Sequence, residues 1–149
     1  MSVFKLENFL PYKLSILSQT VSRLIAQDYE SRFGLTMNQW RCIVIIGNHK
    51  AVTAKHICDL ALLDKMTVSR AIRTLEARKL IELSPSPKDA RKRLIHLTST
   101  GRKIRTDILP VAQNYEKKLL QALSSSEIQA LDSITEKLMA AANTLQTRN

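Results

Sequence analysis

Glycine is scarce in this 149-residue chain, which has only Gly34, Gly47 and Gly101. A glycine-rich phosphate loop is therefore excluded, and the chain between these few breaks reads as long regular elements. Cysteine is scarce too. Cys42 and Cys58 stand 16 positions apart, with no C-x-x-C spacing and no histidine at metal-ligand spacing. That excludes a zinc module or a disulfide framework. The expected state is two reduced, buried thiols; a redox-sensing pair is the alternative. No apolar run approaches the ~20 residues that a membrane helix requires. The first residues, MSVFKLENFLPYKL, lack the apolar core and small-residue cleavage site of a signal peptide. A soluble, cytoplasmic protein with no membrane partner is expected. No G-x-S-x-G, H-E-x-x-H or paired-carboxylate setting is present, and His49, His56 and His96 are scattered. No catalysis, no cofactor and no metal are expected.

What is present is positive charge. Lys and Arg number 23 against 13 Asp and Glu, a formal net charge of +10. Charge of this size favours a polyanionic partner. It is also localised: residues 1–50 carry net +3, residues 51–103 net +7 and residues 104–149 net 0. The densest part is the stretch SPSPKDARKRLIHLTSTG, where four of the six residues from Lys88 to Arg93 are basic. Such a turn repels itself unless a polyanion meets it.

The apolar periodicity predicts a mainly α chain. Leu14, Leu17, Val21, Leu24, Ile25 and Tyr29 form one face of a long helix between Pro11 and Phe33, stopped by Gly34. Thr36 and Gln39 form a capping box for a helix over 37–48, whose centre, CIVII, is apolar all round and expected to be buried. Thr53 caps a short helix over 54–62, and Asp64 caps another through Arg78. LIEL and RLIHL then read as strands of a hairpin around the basic turn, with Pro85 and Pro87 at edge positions. Thr98 or Ser99 starts a long helix to about Leu123, which Pro110 is expected to kink. A second capping box, Ser124 to Glu127, opens a last helix to about Leu145.

Two helices separated by a few residues and followed by a hairpin have the spacing of a helix-turn-helix with a wing. In the second of them Val68, Ala71, Ile72 and Leu75 form the buried stripe. Arg70, Arg73 and Thr74 then face outward, with Lys65, Thr67 and Ser69 near the N-terminal end. Small polar residues and arginines there suit base edges and phosphates in a major groove. Lys88, Asp89, Arg91, Lys92 and Arg93 form the wing tip, expected to follow the backbone into a minor groove. Asp89 either pairs with a neighbouring wing arginine or bonds its own backbone as a turn residue. Double-stranded DNA is the expected partner. The helices at both ends have more apolar surface than a small winged helix can cover, so helix-helix homodimerisation is the expected sink.

At DKMTVSRAIRTLEARKLIELSPSPKDARKRLIHLTSTG the sequence resembles the MarR family of winged helix-turn-helix regulators. The wing pattern is carried by Asp89, Arg91, Leu97, Thr98 and Gly101, and LPYKLS and RFGLTMNQWR are similar to other MarR segments. The resemblance implies a single MarR-type domain over 1–149, with a DNA-binding lobe at about 35–103 and dimerisation helices at about 1–34 and 104–149. It implies a homodimeric regulator, expected to be a repressor, that is relieved by a small aromatic or phenolic anionic effector. By the same analogy Tyr12, Trp40 and Arg41 are candidate effector contacts, with a core anchor between the lobes as the alternative reading of Trp40. Two positions depart from the family pattern: Lys79 stands where many members have Gly, and Ser84 where many have Arg. The rival readings are a sequence-nonspecific nucleic-acid or chromosome-organising protein, and a cysteine-based redox-sensing regulator.

Overall fold

The computed structural model describes residues 3–148. After a short 3-10 turn at Leu6–Asn8, the chain runs through α1 (Leu10–Phe33), α2 (Met37–Asn48), α3 (Ala54–Ala61) and α4 (Lys65–Ala77). Strands β1 (Ile81–Pro85) and β2 (Arg93–Leu97) follow, then α5 (Ser99–Leu120) and α6 (Ser125–Thr147). The chain divides into two compact units, residues 1–110 and residues 111–149.

Local chemistry sets the boundaries. Gly34 takes the left-handed conformation that ends α1, at φ 61°. Thr36 accepts from the Gln39 amide at 3.2 Å while the Gln39 side chain accepts from the Thr36 amide at 3.1 Å, closing the expected capping box. Thr53 caps α3 through the His56 amide, and Ser124 and Glu127 form the second box. These bonds satisfy helix-terminal amides that otherwise lose their partners.

In the first unit, α2 packs on α3, α4 and β2, and α4 packs on α3 and β1. The core gathers Ile43 and Ile46 of α2, Ile57 of α3, Val68, Ala71, Ile72 and Leu75 of α4, and Ile81, Ile95 and Leu97 of the hairpin. Each of these valine, leucine and isoleucine side chains contributes roughly 1.5–3 kcal/mol by leaving water. The CIVII segment is only partly interior: Cys42, Ile43 and Ile46 are buried, but Val44 and Ile45 are half-buried. Positions 42, 43 and 46 form one helical stripe, and 44 and 45 fall outside it. Cys58, expected to be buried, is half-exposed.

The hairpin pairs Ile81 with Leu97 through to Pro85 with Arg93 in antiparallel register. Val52, in the loop before α3, adds a single bridge to Ile95, whose amide donates to the Val52 carbonyl at 2.8 Å. Helix α5 continues through Pro110 and ends at Leu120, three residues short of expectation. In the second unit, α6 buries none of its residues within the chain; Leu131, Ile134, Leu138, Met139 and Leu145 are exposed. In α1, Leu10, Leu14, Leu17 and Leu24 are likewise exposed.

Lys79 shows how a departure from glycine is accommodated. It adopts a left-handed conformation at φ 59° just after α4. The Leu80 amide then reaches back to the Leu75 carbonyl at 2.9 Å, and the Lys79 amide reaches the Glu76 carbonyl at 2.8 Å. The same turn that glycine would make is thus formed with a lysine, at the steric cost of a Cβ against the backbone. Lys79→Gly is expected to stabilise the protein by about 1 kcal/mol, read as a raised urea midpoint with an unchanged slope.

Candidate nucleic-acid interface

Asp64 organises the start of α4. Its carboxylate accepts from the Thr67 amide at 2.9 Å and from the Thr67 hydroxyl at 2.6 Å. Those bonds, the hydroxyl first, hold the Asp64 carboxyl below its ordinary range. Thr67, expected at the DNA face, therefore spends its hydroxyl proton on the cap and is half-buried. Val68, Ala71, Ile72 and Leu75 turn inward as expected. Lys65, Ser69, Arg70, Arg73 and Thr74 are exposed. None of these five side chains has an ion pair or hydrogen bond among the described residues.

The wing tip is tied by its own backbone. The Ser86 amide donates to the Lys92 carbonyl at 2.9 Å, and the Lys92 amide to the Asp89 carbonyl at 3.0 Å. Asp89 accepts from the Arg91 amide at 3.0 Å. Among the described residues it forms no ion pair, so the turn role is the one the structure displays. With the loop shaped from within, Lys88, Arg91, Lys92 and Arg93 are exposed and form no ion pair among the described residues. An open cavity of about 450 Å³ lies between α3, α4 and the hairpin, and Lys55, Ser69, Arg73, Lys92 and Arg93 are among its lining residues. The cavity thus brings Ser69 and Arg73 of the helix together with Lys92 and Arg93 of the wing, with Glu76 also in its lining; Lys65, Arg70, Thr74, Lys88 and Arg91 are not part of it.

Two joints, neither singled out in the sequence, position this surface. Arg78, at the C-cap of α4, donates from Nη1 to the Gly34 carbonyl at 2.7 Å and from Nη2 to the Phe33 carbonyl at 3.0 Å. It clamps the end of α4 to the end of α1, and no local pattern at either segment signals this pairing. The second joint lies under the Leu-Thr-x-x-Gly pattern. The Thr98 hydroxyl donates to the Lys79 carbonyl at 2.7 Å and accepts from the Gly101 amide at 3.0 Å. The Thr98 amide donates to the Leu80 carbonyl at 3.1 Å. Thr98 thereby closes the end of α4, the hairpin and the start of α5 into one corner.

The candidate effector residues are less concentrated. Trp40 packs against Tyr29 with ring centroids 5.0 Å apart, and its buried indole Nε1 has no hydrogen-bond partner. Arg41 is exposed on α2. Tyr12 borders a separate apolar groove with Glu7, Lys13, Ile16, Leu17 and Thr20, a lining that includes neither Trp40 nor Arg41. Burial pushes the Cys42 thiol up to about 11, and the charge of Cys58 acts in the same direction. A thiol held in its neutral form is a poor nucleophile, which weighs against redox sensing at Cys42. Among the described residues no group of three or more His, Cys, Asp or Glu could hold a metal. No described helix is long and apolar enough to cross a membrane.

A helix-turn-helix followed directly by a basic hairpin defines a winged helix. Residues 33–92 match the family model described as "MarR family". The HTH-type transcriptional regulator YdcH of Bacillus subtilis is 31% identical over 86 residues, which cover 58% of this chain and 58% of that protein's own length. MgrA, an HTH-type transcriptional regulator of Staphylococcus aureus, is 28% identical over 138 residues, 91% of each chain. The solved structure of a MarR/EmrR family transcriptional regulator from Acinetobacter sp. ADP1 has a TM-score of 0.86 at 26% identity, covering 95% of this chain and 99% of that one. Over residues 33–92 the chain is thus similar to MarR-family transcriptional regulators. These relatives are transcriptional regulators, not enzymes, in agreement with the expectation of no catalysis.

Proposed function

We propose that the protein is a sequence-specific DNA-binding transcriptional regulator, a repressor, that binds a pseudo-palindromic operator as a homodimer. The observation that carries this is the convergence of Arg73 of α4 with Lys92 and Arg93 of the wing on one cavity, none of them ion-paired among the described residues. In this reading the N-terminal half of α4 enters a major groove and the wing follows the backbone. The exposed leucines of α1 and the exposed apolar stripe of α6 support the homodimer, since burying them against a second copy removes them from water. A dimer places the two recognition helices in successive major grooves, about 10 base pairs apart. Release by a small aromatic or phenolic anion is supported by the unpartnered Trp40 indole N–H, with Arg41 on the same helix as the carboxylate or phenolate partner.

The test is fluorescence anisotropy with DNA from upstream of the protein's own gene against a scrambled duplex, over a salt series. A preference of roughly 10³ or more supports the reading. Equal binding of both duplexes would replace it with a sequence-nonspecific electrostatic grip. Arg91→Ala is expected to weaken binding to all sequences and to lower the salt slope by about one; an unchanged slope removes the wing from the phosphate contacts.

A further inference from the structure

Outside the DNA-facing surface, a second group of cations gathers around an open cavity of about 290 Å³, formed by the C-terminal end of α2, the end of β2 and the first turns of α5. Its polar lining is His49, Lys50, His96, Arg102, Arg105 and Thr106, and among the described residues no carboxylate lines it. We propose that this cavity binds a small dianionic oxyanion of the phosphate type, held by Lys50, Arg102 and Arg105.

Three features single it out. First, its three permanent cations have no ion pair among the described residues. Asp107, next along α5, is paired with Lys103 at 3.0 Å, and Glu82 faces His96 across the hairpin without lining the cavity. Cations confined together without a counter-ion repel one another, and one doubly charged ligand relieves all three. Second, the guanidiniums are already oriented. Arg102 donates from Nη1 to the Leu97 carbonyl at 2.8 Å, and Arg105 donates from Nη2 to the Asn48 side-chain oxygen. Third, Arg105 Nε is buried beside Gly47 and makes no hydrogen bond among the described residues, so the protein leaves this guanidinium incompletely satisfied. Gly47 makes room for this arrangement, because a Cβ there would collide with Arg105 Cδ and Nε.

The histidines add selectivity rather than permanent charge. His49 donates from Nδ1 to the Ile45 carbonyl at 2.7 Å, leaving its Nε2 as the second nitrogen. His96 Nε2 lies 3.3 Å from Ser84 Oγ. Ile46, Gly47 and Leu97 supply the apolar part of the lining, and the two arginines are tied back along the surface. That concave form suits a small molecule better than a DNA backbone, which projecting side chains contact. Only the consequence for gene control rests on the regulator reading: β2 carries Arg93 of the wing at its start and His96 of this cavity near its end. The site itself does not depend on that reading.

The test is a titration of the full-length protein with sodium phosphate at constant ionic strength, balanced with chloride, following the side-chain nitrogen resonances of His49 and His96. Saturable shifts with one shared Kd are expected. Lys50→Met and Arg105→Met should each weaken binding roughly tenfold, and acetate should bind at least ~10-fold more weakly than phosphate. Lys50 is exposed and its side chain forms no ion pair or hydrogen bond among the described residues, so its replacement is expected to leave folding intact. Linear shifts, unchanged affinity in Lys50→Met, or equal binding of acetate and phosphate would overturn the site. Linear phosphate shifts combined with a lower salt slope for DNA in Lys50→Met would assign these cations to the DNA backbone instead. If phosphate binds as expected but the protein shows no operator preference, the regulator reading fails and the anion site stands.

Discussion

Gly101→Ala is expected to lower the stability of the protein by roughly 3 kcal/mol. Gly101 is buried in the first turn of α5, and an added Cβ would collide with the Leu80 carbonyl oxygen. That oxygen is backbone and already accepts from the Thr98 amide, so it has no rotamer through which to yield. Relief requires separating α5 from the end of α4. The move breaks the bonds that Thr98 makes to Lys79 and Gly101 and opens the core around Leu80 and Leu97. Urea denaturation followed by circular dichroism measures the loss. A change below about 1 kcal/mol would mean that the corner deforms freely and does not hold the wing in place.

Arg70→Ala is the second large effect, and it appears on DNA. Arg70 is exposed in the N-terminal half of α4, nearly two turns beyond the Asp64 cap, and its side chain has no ion pair or hydrogen bond among the described residues. A guanidinium free to reach a guanine O6 and N7 is worth roughly 1–3 kcal/mol of discrimination at that base pair. The expected result is that loss on the operator, with relaxed preference at one position of each half-site and little change on random DNA. Anisotropy against operators substituted one base pair at a time provides the measurement. An equal loss on operator and random duplexes would make Arg70 a phosphate contact. Folding is not at issue, because the side chain contributes nothing to the core.

Much of this protein was legible in one dimension because its elements are delimited by local chemistry. The caps at Thr36, Thr53, Asp64 and Ser124 are side chains bonding amides three residues on, and the left-handed stop at Gly34 needs only the absence of a Cβ. The α4 stripe of Val68, Ala71, Ile72 and Leu75 follows from a period of 3.6, so the same count determined that Arg70 and Arg73 face away from the core. The basic turn at Lys88–Arg93 likewise follows from composition between two strand-like runs.

What required the tertiary structure is what joins residues distant in sequence. The choice between two roles for Asp89 was open until the loop closed around its carboxylate and showed it accepting from the Arg91 amide. Thr67 could be counted as a reader of DNA until the Asp64 carboxylate was seen to take its hydroxyl proton. The Arg78 clamp spans 44 and 45 positions to the carbonyls of Gly34 and Phe33, and the cavity of Lys50, His96, Arg102 and Arg105 draws on three separate elements. Periodicity and capping act within a turn or two of helix, so the sequence by itself determined which elements form and which face each presents. Which carbonyl meets which guanidinium across the fold depends on how those elements pack, and only the folded chain decided it.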